Sequence, residues 1–330
     1  MSATPTRRMV AVMVLVPVVV ALALWAFAWP AARVAPRDVP VGVAGPAAAA
    51  TELEHRFEQR EGAFDVHRYD DGAAARAAIE DRVVYGAVVV TPEGPQLLTA
   101  SAGSPAVAQL LREAVAGGAP AGATAPVTDV VPTPSGDPRG GGLAASVLPI
   151  ALAGVAAGAA VTVLRLRGTR AATALAGSAV LVGVTAVTLT HSWLGVLTGD
   201  WWSEAGALSL TAFAISATVA GFGALLGTRG VALGALLMVL IGNPFAGAAT
   251  APELLPEPAG AIGQWLPPGA GASVLRSVAY FDGSGAGAGL LTLSLWAALG
   301  LTAVLLGTAR ATRPAVRAES RHGGAPAPVA

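Results

Sequence analysis

The sequence predicts a mainly helical membrane protein that carries one small α/β domain between its first two apolar segments. Three observations lead there. The 330 residues are 54% hydrophobic and only 12% charged, about half the charged share of an average soluble domain. Six stretches reach or approach the roughly 20 apolar residues a helix needs to cross the hydrocarbon core. One interval, residues 30–142, breaks the pattern with alternating strand and helix signals. The resulting fold class has six transmembrane helices, a re-entrant hairpin before the last, and an extracellular α/β domain inserted between helices 1 and 2.

Composition narrows the chemistry. The mean hydropathy is +0.63, and the formal net charge is zero, which gives no support to nucleic-acid binding. The chain has no cysteine, so disulfides, thiolate metal sites and thiol nucleophiles are excluded. All 20 basic residues are arginine. Without lysine there is no P-loop and no Schiff-base chemistry.

Residues 1–8 form a short N-terminal segment with Arg7 and Arg8. The first span, residues 9–29, has an apolar core longer than the 7–15 residues of a signal-peptide h-region. Bulky Trp25, Phe27 and Trp29 stand where a cleavage site needs small residues, so an uncleaved anchor is expected.

Strands are expected at residues 39–44, 64–69, 83–90 and 96–101, with a last one at 128–131. Helices are expected at 51–60, 73–81 and 105–115. Asp70 or Asp71 suits the N-cap of the second helix, because a carboxylate accepts from free N–H groups at a helix start. Ser104 and Pro105 suit N-cap and N1 of the third. The turn at residues 92–95 joins two pairing strands, giving a mixed sheet. His55 and His67 lie near Glu58, Asp65, Asp70 and Asp71, without a metal-site spacing such as His-Glu-x-x-His. No nucleophile elbow is present either. The reading therefore assigns no catalytic, cofactor-binding or metal-binding residues, and no enzyme activity.

The transmembrane domain is expected at residues 143–309, with spans at 143–164, 171–190, 205–226, 231–251 and 290–309. Their interiors are free of Asp, Glu, Arg and His, which argues against a midplane proton relay. Gly154 and Gly158 are one helical turn apart, as are Gly223 and Gly227. Small residues at that spacing let helices approach closely.

The span at 231–251 is interrupted. Asn243, Pro244 and Gly247 are expected to set the break, with the Asn243 side chain bonding freed backbone groups. Pro removes a donor and disturbs the preceding turn, and broken backbone in a membrane must find partners within protein. Residues 252–265, which include Pro256, and residues 269–281 are each too short to cross. They read as half-depth helices of a re-entrant segment at about 248–281. Residues 263–269 form its connection, with Pro267, Pro268 and Gly269 at the tip.

Arginines fix the orientation. Arg7 and Arg8, then Arg165, Arg167 and Arg170, then Arg229, then Arg310, Arg313, Arg317 and Arg321 all fall on one side of a six-span chain. The positive-inside rule makes that side cytoplasmic. The opposite short link holds Trp193, Trp201 and Trp202 and no arginine, which suits an interfacial belt. The reading is a multi-pass protein of the cell (plasma) membrane with both termini cytoplasmic. Residues 310–330 form a disordered tail, and Arg165, Arg167 and Arg170 face a cytoplasmic partner.

Several short motifs accompany this architecture. They are Gly242-Asn243-Pro244 with Gly247, Leu255-Pro256, Trp265-Leu266-Pro267-Pro268-Gly269, and Arg276 with Tyr280-Phe281-Asp282-Gly283. Upstream lie Asp137-Pro138-Arg139-Gly140 and Tyr85-Gly86-Ala87. With one span, an outer domain and five further spans, the chain resembles the type-2 ABC-exporter permease superfamily, most closely its phage-infection-protein-like branch. The resemblance implies a homodimer or heterodimer that works with a separate ATPase subunit and moves hydrophobic or envelope cargo outward. Members dock their ATPase through a coupling helix in the second-to-third link, and here that link is only residues 165–170. The alternative is a non-transporting envelope scaffold, secretion accessory or surface receptor that presents the outer domain.

Overall fold

The computed structural model describes residues 5–118 and 125–322. Residues 1–4, 119–124 and 323–330 lie outside that set, and with them parts of the expected N-terminal segment and C-terminal tail. Among the described residues, five helices are long and apolar enough to cross a membrane: Met13–Ala32, Gly141–Val163, Gly168–Trp193, Trp201–Leu226 and Gly287–Gly307. A sixth apolar helix, Thr228–Gly242, is shorter.

Helix α1 (Pro5–Ala32) leaves Met13, Leu15 and Leu24 more than half exposed. So continuous an apolar surface suits lipid rather than water. Its C-terminal end is the part that packs: Trp25 and Trp29 stack at 5.5 Å, and both meet Phe245 edge-on.

The α/β domain follows as β1 (Val39–Ala44), α2 (Ala47–Glu58), β2 (Phe64–Tyr69), α3 (Gly72–Glu80), β3 (Gly86–Thr91), β4 (Gly94–Thr99), α4 (Pro105–Gly118) and β5 (Val127–Asp129). The sheet order is β2-β1-β3-β4-β5. It is mixed: β1 pairs in parallel with β2 and β3, β3 is antiparallel to β4, and β4 is parallel to β5. Asp71 caps α3 by accepting from the Ala74 N–H at 2.8 Å. Ser104 caps α4 through the Val107 N–H at 3.2 Å. The third strand starts later than expected, because the Val83 and Val84 N–H groups both turn back to the Ala78 carbonyl and finish α3 instead.

Alternating strand residues face opposite layers. Val39, Val41, Val43, Val88 and Leu97 pack with Phe57, Val107 and Leu111 on one face. Ala44, Ala87, Val89 and Leu98 pack with Ile79 on the other. Distant residues complete both layers: Ala251 and Leu254 enter the first, and Phe281 enters the second. Phe281 is only 5% exposed, and burying such a ring contributes ~2–3 kcal/mol. The domain is therefore packed onto the chain around residues 251–281 rather than tethered beside it.

The helical part comprises α5 (Gly141–Val163), α6 (Gly168–Val187, continuing as a π turn through Trp193), α7 (Trp201–Leu226) and α8 (Thr228–Leu236, continuing as a π turn through Gly242). The hub is α7, which contacts α5, α6, α8 and α11 (Gly287–His322). Three neighbours each press a glycine onto its backbone: Gly158 at the Ser216 carbonyl, Gly183 at the Ala205 carbonyl and Gly300 at Ala217. Gly223 serves the same purpose against Thr162. Its expected companion Gly227 does not. Gly227 stands at φ +66° with open space around it and makes the one-residue turn between α7 and α8.

The expected break in the segment 231–251 falls after Gly242, where the helix ends and a 3-10 turn, Pro244–Ala246, follows. Two expectations need correction. The link before α6 is shorter still than residues 165–170, since α6 already begins at Gly168. Residues 310–322 continue α11 as helix where an irregular tail is expected; Ala and Arg dominate there, and both favour helix. His191 and Glu204 fall just outside the expected spans 171–190 and 205–226, at the ends of the helical extents Gly168–Trp193 and Trp201–Leu226.

Candidate functional site

Between the α/β domain and the broken segment lies a cavity of about 220 Å³. Its polar lining comes from three distant parts of the chain. The α3–β3 turn supplies Arg82 and Tyr85, a 3-10 turn (Pro252–Leu254) supplies Glu253, and α10 (Pro267–Tyr280) supplies Ser273 and Arg276.

Arg82 stands at φ +60°. It fills the left-handed position after α3 that glycine normally takes, at a cost of ~1–2 kcal/mol. That placement aims its guanidinium across the domain boundary. Its Nη1 donates to the Ser273 carbonyl at 3.1 Å and to the Ser277 hydroxyl, and its Cζ lies 5.3 Å from the centre of the Phe281 ring. Burial, and secondarily the neighbouring Arg276 charge, hold the Arg82 guanidinium below its ordinary pKa.

The Tyr85 hydroxyl donates to Glu253 Oε2 at 2.9 Å. Burial first, and the Glu253 carboxylate second, push the Tyr85 phenol well above its ordinary range. It therefore acts as a neutral donor. Arg276 is 6% exposed, and its Nη2 donates to the Ala248 carbonyl at 2.7 Å. Among the described residues no carboxylate stands within ion-pair distance of Arg276 or Arg82. The site thus holds two guanidinium groups against one carboxylate.

Of these residues, the sequence motifs include Tyr85 and Arg276; Arg82 and Glu253 carry no motif. An arginine following Glu80-Asp81, where a helix-terminating glycine is the ordinary choice, was the available signal for Arg82.

The residues expected to set the break are brought together, in altered roles. Asn243 makes no side-chain cap. Its own N–H donates to the Met238 carbonyl at 3.1 Å, so a π turn absorbs the freed groups. Pro244 begins the 3-10 turn, and Gly247 stands at φ +64° against Pro252. The Pro256 carbonyl accepts from the Ala259 N–H at 2.7 Å, opening α9 (Ala259–Gln264). That helix has only six residues, so the first limb of the expected hairpin is mostly irregular.

The turn itself falls at Trp265-Leu266. Pro267, Pro268 and Gly269 lie beyond it, buried in the first turn of α10, where proline is favoured because its missing N–H is not needed. Pro268 packs on Gly242, and Gly269 on Gly263 and Ala246. Arg165, Arg167 and Arg170 are all exposed around the short α5–α6 link. His55 and His67 pair with Glu58 and Asp65 at 3.1 and 3.0 Å on the domain surface, away from the cavity lining.

A second buried polar group sits at the start of α7. Glu204 is fully buried. It accepts from the Gly199 N–H at 2.8 Å and lies 2.8 Å from His191 Nδ1. Its carboxylate ties the α6–α7 link to both helices.

Comparison with known proteins finds no matching family model, no similar curated protein and no similar solved structure.

Proposed function

We propose that the protein is the permease-like subunit of an exporter: a multi-pass protein of the cell membrane with both termini cytoplasmic and the α/β domain outside. It moves hydrophobic or envelope cargo, works as a dimer, and draws its energy from a separate ATPase subunit. The observation that carries this reading is the half-depth course of residues 244–281. The Trp296 indole donates to the Trp265 carbonyl at 2.7 Å, nine residues below the start of α11, or ~14 Å at 1.5 Å per residue. Gly271 abuts Thr211, ~15 Å below the start of α7 by the same measure. The segment enters and leaves at the end of the bundle that bears the α/β domain. We read this segment as re-entrant backbone, which a membrane tolerates only where protein or a wet cavity surrounds it, and such breaks recur at transport sites. The π turn 237–242 before it supports the same reading, since π segments gather at functional positions.

The short links favour a second reading. Residues 164–167 and Gly227 leave little surface for a coupling helix, which fits a non-transporting envelope scaffold or receptor. Co-purification distinguishes the two. A permease brings down an ATPase whose turnover responds to this chain, and its deletion abolishes an export phenotype. A scaffold brings down an envelope protein through residues 36–136 and leaves ATP turnover unchanged. Because the native chain lacks cysteine, single-cysteine labelling tests the topology directly. Glu93→Cys is expected to react with an impermeant maleimide in intact cells, and Arg167→Cys only after permeabilisation.

A further inference from the structure

We infer that the cavity beneath the α/β domain is a binding site for a phosphodiester group, which locks the domain onto the broken segment. The inference stands apart from the exporter reading, since a scaffold could hold the same ligand.

It starts from Arg276. A guanidinium has five N–H donors. One of its groups, Nη2, is engaged at Ala248, while Nε and Nη1 have no hydrogen-bond acceptor among the described residues. Arg276 is more than nine-tenths buried and lines the cavity. Arginine is favoured wherever phosphate is held, because its planar fork matches the oxygens. Arg82 lines the same space from the domain side, so two guanidinium groups belonging to different parts of the fold reach one cavity.

The charge count selects the ligand. Two guanidinium groups against Glu253 leave one positive charge unmatched, and a phosphodiester carries one negative charge. Its two free oxygens can accept from the two arginines, and its two ester oxygens carry the substituents of a headgroup that fills the rest of the space. A volume of 220 Å³ is that of about seven waters at ~30 Å³ each. This is enough for a headgroup with some water, and too little for acyl chains. An apolar surface is at hand: Gln264 lines the cavity while its neighbour Trp265 is 72% exposed, which suits a contact with lipid.

The full-length chain purified in maltoside detergent would be titrated calorimetrically with dihexanoyl phosphatidylglycerol, with soluble glycerophosphoglycerol, and with acetate. Saturable binding of the lipid alone supports the site and makes the membrane its source. Binding of both phosphodiesters supports it with a soluble source. Absence of phosphodiester binding, or tighter binding of acetate, overturns it. Arg276→Gln is expected to weaken binding about tenfold or more, the loss of one charge-assisted contact. Arg60→Gln, exposed on the domain surface away from the cavity, is expected to leave it unchanged. Should Arg276→Gln fail to fold, Glu253→Gln decides: it keeps an acceptor for Tyr85 and removes the opposing charge, so binding should tighten several-fold. Unchanged or weaker binding in Glu253→Gln overturns the assignment.

Discussion

Gly158→Ala is expected to pry α5 away from α7. A methyl group added at Gly158 would stand 2.6 Å from the Ser216 carbonyl oxygen, 2.8 Å from Val219 Cβ and 3.0 Å from the Ala220 nitrogen. Ordinary contact begins near 3.4 Å, so α5 must retreat by about 0.8 Å. Two of the three obstacles are backbone and cannot turn aside. A gap of that size forfeits a quarter to a half of each dispersion contact along the seam, and overpacking of this kind costs ~1–3 kcal/mol. With ~2 °C lost per kcal/mol in a chain of this size, the melting temperature in detergent should fall by ~2–6 °C, followed by tryptophan fluorescence. Gly177→Ala is the matched control. Nothing lies within 4 Å of a methyl group there, so the substitution only adds helix propensity, up to ~1 kcal/mol of stabilisation. If Gly158→Ala melts at or above Gly177→Ala, close glycine packing does not organise the bundle around α7.

Replacing Asn243 with Leu and Pro244 with Ala restores the one backbone N–H that proline lacks and removes the ring that stops the helix. The double variant should insert normally, extend the helix past Gly242 as seen by hydrogen exchange, and lose function; unchanged function would detach the break from activity. Glu204→Leu strips the acceptor from the Gly199 N–H and from His191, a loss of ~2–4 kcal/mol, whereas Glu204→Gln keeps an acceptor and should lose less than half of that in the same melting assay. Tyr85 gives a pH dependence. Its folded pKa is raised, so the folded state holds its proton when the unfolded chain gives it up near pH 10. Stability should decline as pH rises past ~10, and Tyr85→Phe, which cannot ionise, should flatten that decline; equal slopes in both proteins would remove the claim.

The elements legible in the sequence are those whose signal is local. Alternation at Val39, Val41 and Val43 marks β1, and the same residues line one buried layer. Asp71 and Ser104 announce the helices they cap. The long apolar runs mark five helices, and Asn243-Pro244 marks where the sixth apolar segment stops. Where the local signal ends, expectation and structure part. Gly227 looked like a packing glycine and is a turn, because spacing alone cannot say which face a glycine presents. The limb at 252–265 looked helical and is mostly irregular, because its proline-rich stretch is held by neighbours rather than by its own ladder.

By itself, then, the sequence determined an apolar helical chain with a small mixed sheet inserted early and a break after Gly242. These follow from hydropathy, periodicity and proline chemistry, which act over a few residues. Only the tertiary structure decided that Arg82 meets Ser273 and Ser277 in α10, that Tyr85 meets Glu253, and that Phe281 completes the domain's core. Partners nearly two hundred residues apart are chosen by packing and by the need to satisfy buried charge. No local pattern records that choice.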